Sequence, residues 1–202
     1  MKKTKIIGLT GGIASGKSSV AEFLRAKKFP VFDADKAAHE LMSKESEAWW
    51  DIVAEFGEEI LTISRELDRQ KLGTIVFAEP ERLKKLEAIL HYRIWQAFEN
   101  FCVEQRAQQA TVIFLDAPLL IEAGWHKKVD SVWLVYLSRS EQISRAMQRD
   151  QVTATIVEQR LDKQMSFEKK KLVADRIIDN SFSLEQTYAQ VESLISELQV
   201  AI

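Results

Sequence analysis

Cysteine is almost missing from this chain of 202 residues: Cys102 is its single thiol. One cysteine cannot close an internal disulfide, and its neighbours Phe101 and Val103 suit a buried apolar helix position, so a reducing cytoplasm is expected. An excess of one charge is missing too, since 28 lysines and arginines stand against 30 aspartates and glutamates, for a net charge of -2. A protein that coats nucleic acid needs a concentrated basic face, so no nucleic-acid partner is expected and any anion site must be local. Long apolar runs are absent as well. The longest strongly apolar stretches, such as residues 132–137, have the length of a strand and fall well short of the roughly 20 residues that span a bilayer. No membrane segment is expected. Lys2 and Lys3 before Ile6 and Ile7 imitate a secretory signal, but glycines and Lys17 interrupt the run, which reads as mature structure. No repeat, low-complexity tract or Pro/Gly/Ser linker divides the chain. The three histidines, His39, His91 and His126, lie far apart and show no metal-binding spacing.

What is present is a set of short apolar runs separated by helical patterns. Residues 5–9, 31–32, 112–115, 132–137 and 176–178 read as buried strands. Their near-continuous hydrophobicity fits a parallel sheet covered on both faces, and hence a doubly wound α/β fold. The first helix is expected to start inside a glycine loop, with Val20, Phe23 and Leu24 on one face and Pro30 beyond its end. Helical patterns cover residues 35–56, 68–77 and 80–105, a stretch too long for a plain crossover. It reads as an inserted substrate region in which Trp49, Trp50 and Trp95 supply packing or a ligand wall. Ser138 and Glu141 are spaced as a capping box, a second helix is expected over residues 155–165, and residues 138–165 read as a mobile lid. Ser183 and Gln186 open the last helix in the same way, with Val191, Leu194, Ile195 and Leu198 as its core-facing stripe.

Gly11, Gly12, Ile13, Ala14, Ser15, Gly16, Lys17 and Ser18 match G-x-x-x-x-G-K-[ST] in full, between a predicted strand and a predicted helix. In such a P-loop the glycines let amides turn toward phosphate oxygens, and the helix start adds its positive dipole end. Lys17 would bridge the outer phosphates of ATP, and Ser18 would offer its hydroxyl to Mg²⁺. Ser19 follows as a further first-turn amide of this ATP-binding set. Asp33 and Asp35 follow the second strand, at the carboxyl edge where such sheets bind ligands. Each could orient and deprotonate an attacking hydroxyl, or cap the next helix. Asp116 ends the third strand, either as a Mg²⁺ ligand through water or acceptor contact, or as a turn residue before Pro118. Arg145 and Arg149 lie four apart on one helical face, suited to a transferring phosphoryl group or to plain solvation. His39, four residues after Asp35, could share its helix face in a substrate pocket.

Taken together, several segments resemble the dephospho-CoA kinase family. They are Gly8-Leu9-Thr10-Gly11-Gly12 before the loop, Asp33-Ala34-Asp35, Leu90-His91, Asp116-Ala117-Pro118-Leu119-Leu120 with Glu122, Gln142 through Arg145 to Arg149, and Ala174-Asp175 through Ile178-Asp179-Asn180. The resemblance implies ATP-dependent phosphorylation of the ribose 3'-hydroxyl of dephospho-CoA, giving CoA and ADP, the last step of coenzyme A synthesis, with Mg²⁺ on the nucleotide. It implies a P-loop core of five parallel strands flanked by helices (residues 1–34, 107–137 and 172–202), an inserted helical CoA-binding region (35–106) and a helical lid (138–171). Carried over by position, Asp33 is the catalytic base, Lys17 and Arg145 stabilise the moving phosphate, and Arg149 and Asn180 lie near the nucleotide. Asp33, Asp35, His39, His91, Asp116 and Leu119 form the acceptor-binding set. The expected assembly is a monomer or small homo-oligomer. The sequence departs from the family pattern at Ala14, where glycine is usual, and at His91-Tyr92-Arg93-Ile94-Trp95, which lacks the proline and arginine common after the histidine.

Two rival functions share parts of this pattern. Another small-molecule P-loop kinase, acting on a nucleotide, sugar or shikimate-like acceptor, would keep both loop and lid. A GTP-dependent switch would keep the loop, but the strand-end segment reads Asp116-Ala117-Pro118-Leu119 rather than Asp-x-x-Gly, and no Asn-Lys-x-Asp guanine reader occurs.

Overall fold

The apolar runs become strands because each is buried from both sides. A computed structural model describes residues 4–200 of the chain; Lys2, Lys3 and residues 201–202 lie outside the described residues. The strands are β1 (Lys5–Gly11), β2 (Val31–Asp33), β3 (Val112–Asp116), β4 (Ser131–Tyr136) and β5 (Arg176–Asp179). They form one five-stranded parallel sheet in the order β2-β3-β1-β4-β5, flanked by helices. All of β3 and the centre of β4 are buried, as two-sided cover requires. The register sets Leu9 beside Asp116, Gly11 beside Val135 and Tyr136 beside Asp179. The ends of β1, β3, β4 and β5 therefore share one edge, and residues that follow them become neighbours.

The helices are α1 (Lys17–Ala26), α2 (Ala34–Leu41), α3 (Glu47–Phe56), α4 (Arg69–Ala78), α5 (Pro80–Ala107), α6 (Arg139–Asp150), α7 (Ala154–Asp162), α8 (Phe167–Lys171) and α9 (Leu184–Val200). The chain forms two compact units, one running through Phe32 and resuming at Glu104, the other spanning Asp33–Val103.

In the first unit, α1 and α9 cover one face of the sheet. Val20 and Leu24 of α1 and Val191 and Ile195 of α9 pack on Ile7, Leu9 and Trp133, with Leu194 and Leu198 against the same cluster. Each large aliphatic side chain buried this way contributes about 1.5–3 kcal/mol. Phe23 stacks on Tyr188, with centroids 4.2 Å apart, and joins the two helices at their outer side. Gly8 faces away from that cluster, and a Cβ there would overlap the side chain of Leu120.

In the second unit, Ile52, Phe56, Ile60, Leu72 and Val76 form the core. Trp49 is fully buried and its indole N–H donates to the Arg65 carbonyl at 3.1 Å, whereas Trp50 is 54% exposed. Cys102 is buried on α5 and is in no disulfide.

Two local expectations differ from the structure. The pattern over residues 35–56 is two helices, because Ser46 caps α3 through the Trp49 amide at 3.1 Å and Glu45 takes a left-handed φ of 64°. The expected helix over residues 155–165 ends at Asp162. A short α8 follows it, with Lys169, Lys170 and Lys171 in its last turn.

Candidate active site

The P-loop begins where β1 ends and turns on itself through the Ser15 amide, which donates to the Gly12 carbonyl at 3.1 Å. Ala14 adopts a left-handed φ of 54°, a conformation that disfavours a Cβ, and Gly16 reaches φ 95° as the N-cap of α1. No side chain caps α1 and no acid lies in its first turn, whereas Asp33, Ser46, Asp68 and Ser138 cap other helices. The first-turn amides of Lys17, Ser18 and Ser19 have no carbonyl behind them within the helix. Together with the dipole end, they make a binding place for anionic oxygens.

The side chains that meet this loop come from neighbouring strand ends. Lys17 Nζ pairs with Asp116 Oδ1, and the Asp116 carboxylate is almost completely buried. Asn180, just after β5, donates from Nδ2 to the Ser15 carbonyl at 2.8 Å and accepts at Oδ1 from the Thr187 hydroxyl at 2.8 Å. It lies so close that a Cβ at Gly16 would overlap it, which is why glycine is required there. Arg145 donates to the Asn180 carbonyl at 3.3 Å. We expect Asn180→Ala to strip the Ser15 carbonyl and Thr187 hydroxyl of a buried partner and destabilise the protein by about 2 kcal/mol, read by denaturant unfolding.

Of the residues singled out from sequence, the first unit thus gathers the loop, Lys17, Asp116, Arg145 and Asn180. Leu119 lies three residues past Asp116 and is 42% exposed. Arg149 pairs with its chain neighbour: its guanidinium donates to Asp150 at 2.7 Å, and that hydrogen bond raises its pKa and lowers the Asp150 carboxyl. Asp150 also accepts from Arg160 at 3.0 Å, linking α6 to α7.

Several polar contacts around the loop were not legible in advance. Gln142 donates from Nε2 to the Leu137 carbonyl at 2.7 Å, while its buried Oε1 has no protein partner and faces Gly12. Gln164, in the turn after α7, accepts the Ile13 amide at 3.1 Å. Lys170 is only 2% exposed, pairs with Glu122 at 3.0 Å and donates to the Pro118 carbonyl at 3.2 Å. Capping-box spacing announces none of these contacts: Gln142 reaches back five residues to Leu137, and Gln164 and Lys170 meet partners far away in the chain.

In the second unit, Asp33 ends β2 and caps α2, accepting the Lys36 amide at 2.9 Å. Asp35 and His39 are exposed on the same helix. His91 is half-buried on α5, and burial pushes its pKa below the ordinary value against the opposing charge of Glu87. Two positions further, where the family pattern is broken, Arg93 pairs with Glu47 and with Asp51 at 2.6 Å and so braces α5 against α3.

Comparison with known proteins matches this geometry to one family. The dephospho-CoA kinase family model matches residues 5–186. The chain is 43% identical over 193 residues to a dephospho-CoA kinase of Symbiobacterium thermophilum, covering 94% of this chain and 79% of that one. A crystal structure of a Thermus thermophilus protein superposes with a TM-score of 0.83 at 34% identity, over 98% of this chain and 99% of that one. A dephospho-CoA kinase from Campylobacter jejuni gives a TM-score of 0.71 at 28% identity, over 97% of this chain and 98% of that one. Full-length similarity of this kind, on a sheet and P-loop of the same order, means that the chain belongs to the dephospho-CoA kinase family, transferases that phosphorylate an alcohol group.

Proposed function

We propose that this enzyme transfers the terminal phosphate of ATP to the ribose 3'-hydroxyl of dephospho-CoA, releasing CoA and ADP. The observation that carries the reading is the uncapped start of α1 behind a P-loop whose lysine is held by the acid ending β3. The loop amides bind and orient the triphosphate, and Lys17 exchanges Asp116 for phosphate oxygens as the nucleotide enters. Arg145, on α6, adds a planar donor fork to the charge that spreads over the moving phosphoryl oxygens. Asp33 orients the acceptor hydroxyl and takes its proton, while one carboxylate oxygen is used by the cap on α2. Asp35, His39 and His91 serve the acceptor from the inserted helical unit, Leu119 from the segment after β3, and Arg149 and Asn180 the nucleotide.

Mg²⁺ on the nucleotide would neutralise phosphate charge, held by the Ser18 hydroxyl and, through water, by Asp116. The donor set fits such an ion: Ser18 is exposed in the first turn of α1, and Mg²⁺ keeps most of its water. Among the described residues, no group of three His, Cys, Asp or Glu side chains could hold a metal ion by protein ligands alone. Residues 35–106 act as the acceptor-binding region and residues 138–171 as the lid over the nucleotide. A single buried cysteine, Cys102, held in no disulfide, favours a cytoplasmic location. Among the described residues, no helix is long and apolar enough to cross a membrane.

Initial rates with Mg-ATP and a panel of dephospho-CoA, shikimate, gluconate and nucleoside monophosphates test the assignment. Dephospho-CoA is expected to be preferred over every other acceptor, and a preference for any of the others overturns it. For Arg145→Ala we expect kcat to fall about a hundredfold, as for removal of one positioned donor, with little change in unfolding free energy because the side chain is exposed. An unchanged kcat would remove Arg145 from phosphoryl transfer.

A further inference from the structure

We propose that Gln164 is a positioning residue for the phosphate cradle, acting through its side-chain carbonyl on the Ile13 amide. The P-loop does not keep its shape by itself. Ala14 carries a Cβ in the left-handed region, a conformation that costs about 1–2 kcal/mol and persists only where neighbours hold it. Asn180 fastens the Ser15 carbonyl, and two further contacts hold the middle of the loop from outside. One is the hydrogen bond from the Ile13 amide to Gln164 Oε1 at 3.1 Å, spanning 151 positions of sequence. The other is apolar: Ile13 and Ala14 pack against the buried cluster of Ala146, Val157 and Leu161 in the α6–α7 hairpin. The extra methyl at residue 14 thus has a place to go, and the loop is plugged into the hairpin expected to act as the lid.

Gln164 can hold an amide still because its own turn is held. The next amide, Met165, donates to Glu122 Oε1 at 3.1 Å, and Glu122 is the ion-pair partner of the buried Lys170. Lys170 in turn donates to the Pro118 carbonyl, in the segment that follows Asp116. One chain of polar contacts therefore runs from the strand end beside Lys17, through α8 and the turn after α7, back to the second variable residue of the loop. A glutamine suits this task because it accepts the amide without bringing negative charge toward a triphosphate. Its expected effect falls on nucleotide affinity, since a correctly shaped loop need not be rebuilt when phosphate arrives.

This inference rests on the reading that residues 11–18 bind triphosphate, and the test separates the two. Calorimetry of wild-type protein with Mg-ATP checks the parent reading; absence of heat there removes it. Given wild-type binding, Gln164→Met, which keeps length and removes the acceptor, is expected to raise both Kd and KM for Mg-ATP about five- to tenfold, equivalent to one lost hydrogen bond. The KM for the acceptor and kcat should stay close to wild type. An unchanged or lowered KM for ATP overturns the proposal, and so does a loss of activity that merely follows a fall in Tm. Amide hydrogen exchange supplies a second readout that needs no nucleotide. The Ile13 amide should be protected in the wild type, exposed to exchange in Gln164→Met and protected again in Gln164→Glu, which restores the acceptor. Fast exchange of that amide in the wild type, or no rescue by glutamate, overturns the proposal even where the methionine variant folds poorly.

Discussion

Lys17→Ala is expected to lower kcat about a thousandfold, the scale set by removing a preorganised charge from phosphoryl transfer. The structure adds a second effect that the motif alone does not foresee. Asp116 is 4% exposed and loses its ion-pair partner in this variant, so folding stability should also fall, by about 2 kcal/mol. The two effects separate in the double variant Lys17→Met with Asp116→Asn, in which neither buried charge remains. Denaturant unfolding of that protein should recover most of the lost stability, while initial rates at saturating substrate stay as low as in Lys17→Ala. Recovery of turnover along with stability would show that Lys17 supports the fold and not the reaction.

Asp33→Asn should reduce kcat by about a hundred- to ten-thousandfold, the range general base catalysis supplies. This substitution is unusually clean because the cap on α2 uses a side-chain oxygen that asparagine also possesses. Asparagine caps helices as well as aspartate does, so unfolding free energy should change by only a few tenths of a kcal/mol. Binding of both substrates should persist, since a neutral amide still hydrogen-bonds a hydroxyl. Asp33→Ala provides the contrast: it should lose the same turnover and, in addition, about 1 kcal/mol of stability through the missing cap. Measured side by side, near-normal kcat in Asp33→Asn with reduced stability in Asp33→Ala would make Asp33 a cap and nothing more.

The parts of this protein legible in its sequence are those written in consecutive residues. Each predicted strand run falls on a strand, with only Leu137 lying one residue past the end of β4, since residues such as Val112, Ile113, Phe114 and Leu115 have no polar face to offer water. The P-loop is legible because its glycines, Lys17 and Ser18 must be adjacent to do their work. Capping residues Ser138 and Ser183 announce α6 and α9 for the same reason. What was not legible depends on partners supplied by tertiary structure. Lys170 sits in the run Lys169-Lys170-Lys171, and nothing in that run tells which ammonium is taken from water. Gln164 looks like a surface amide until the fold brings it to Ile13, and Gln142, though part of a family segment, shows no sign of facing Gly12. The break between α2 and α3 has neither proline nor glycine to mark it; it is made by Ser46 and a strained Glu45.

Asn180 and Thr187, which fasten the carbonyl of Ser15, belong to the last quarter of the polypeptide, while the loop they fasten is among its first segments. A ribosome therefore extrudes residues 11–18 long before it makes the parts that complete them. Nascent chains halted before residue 180 should not retain ATP on an affinity resin, and chains released after α9 has emerged should. Nucleotide capture should therefore wait until the segment carrying Asn180 and Thr187 has been made and docked on the loop.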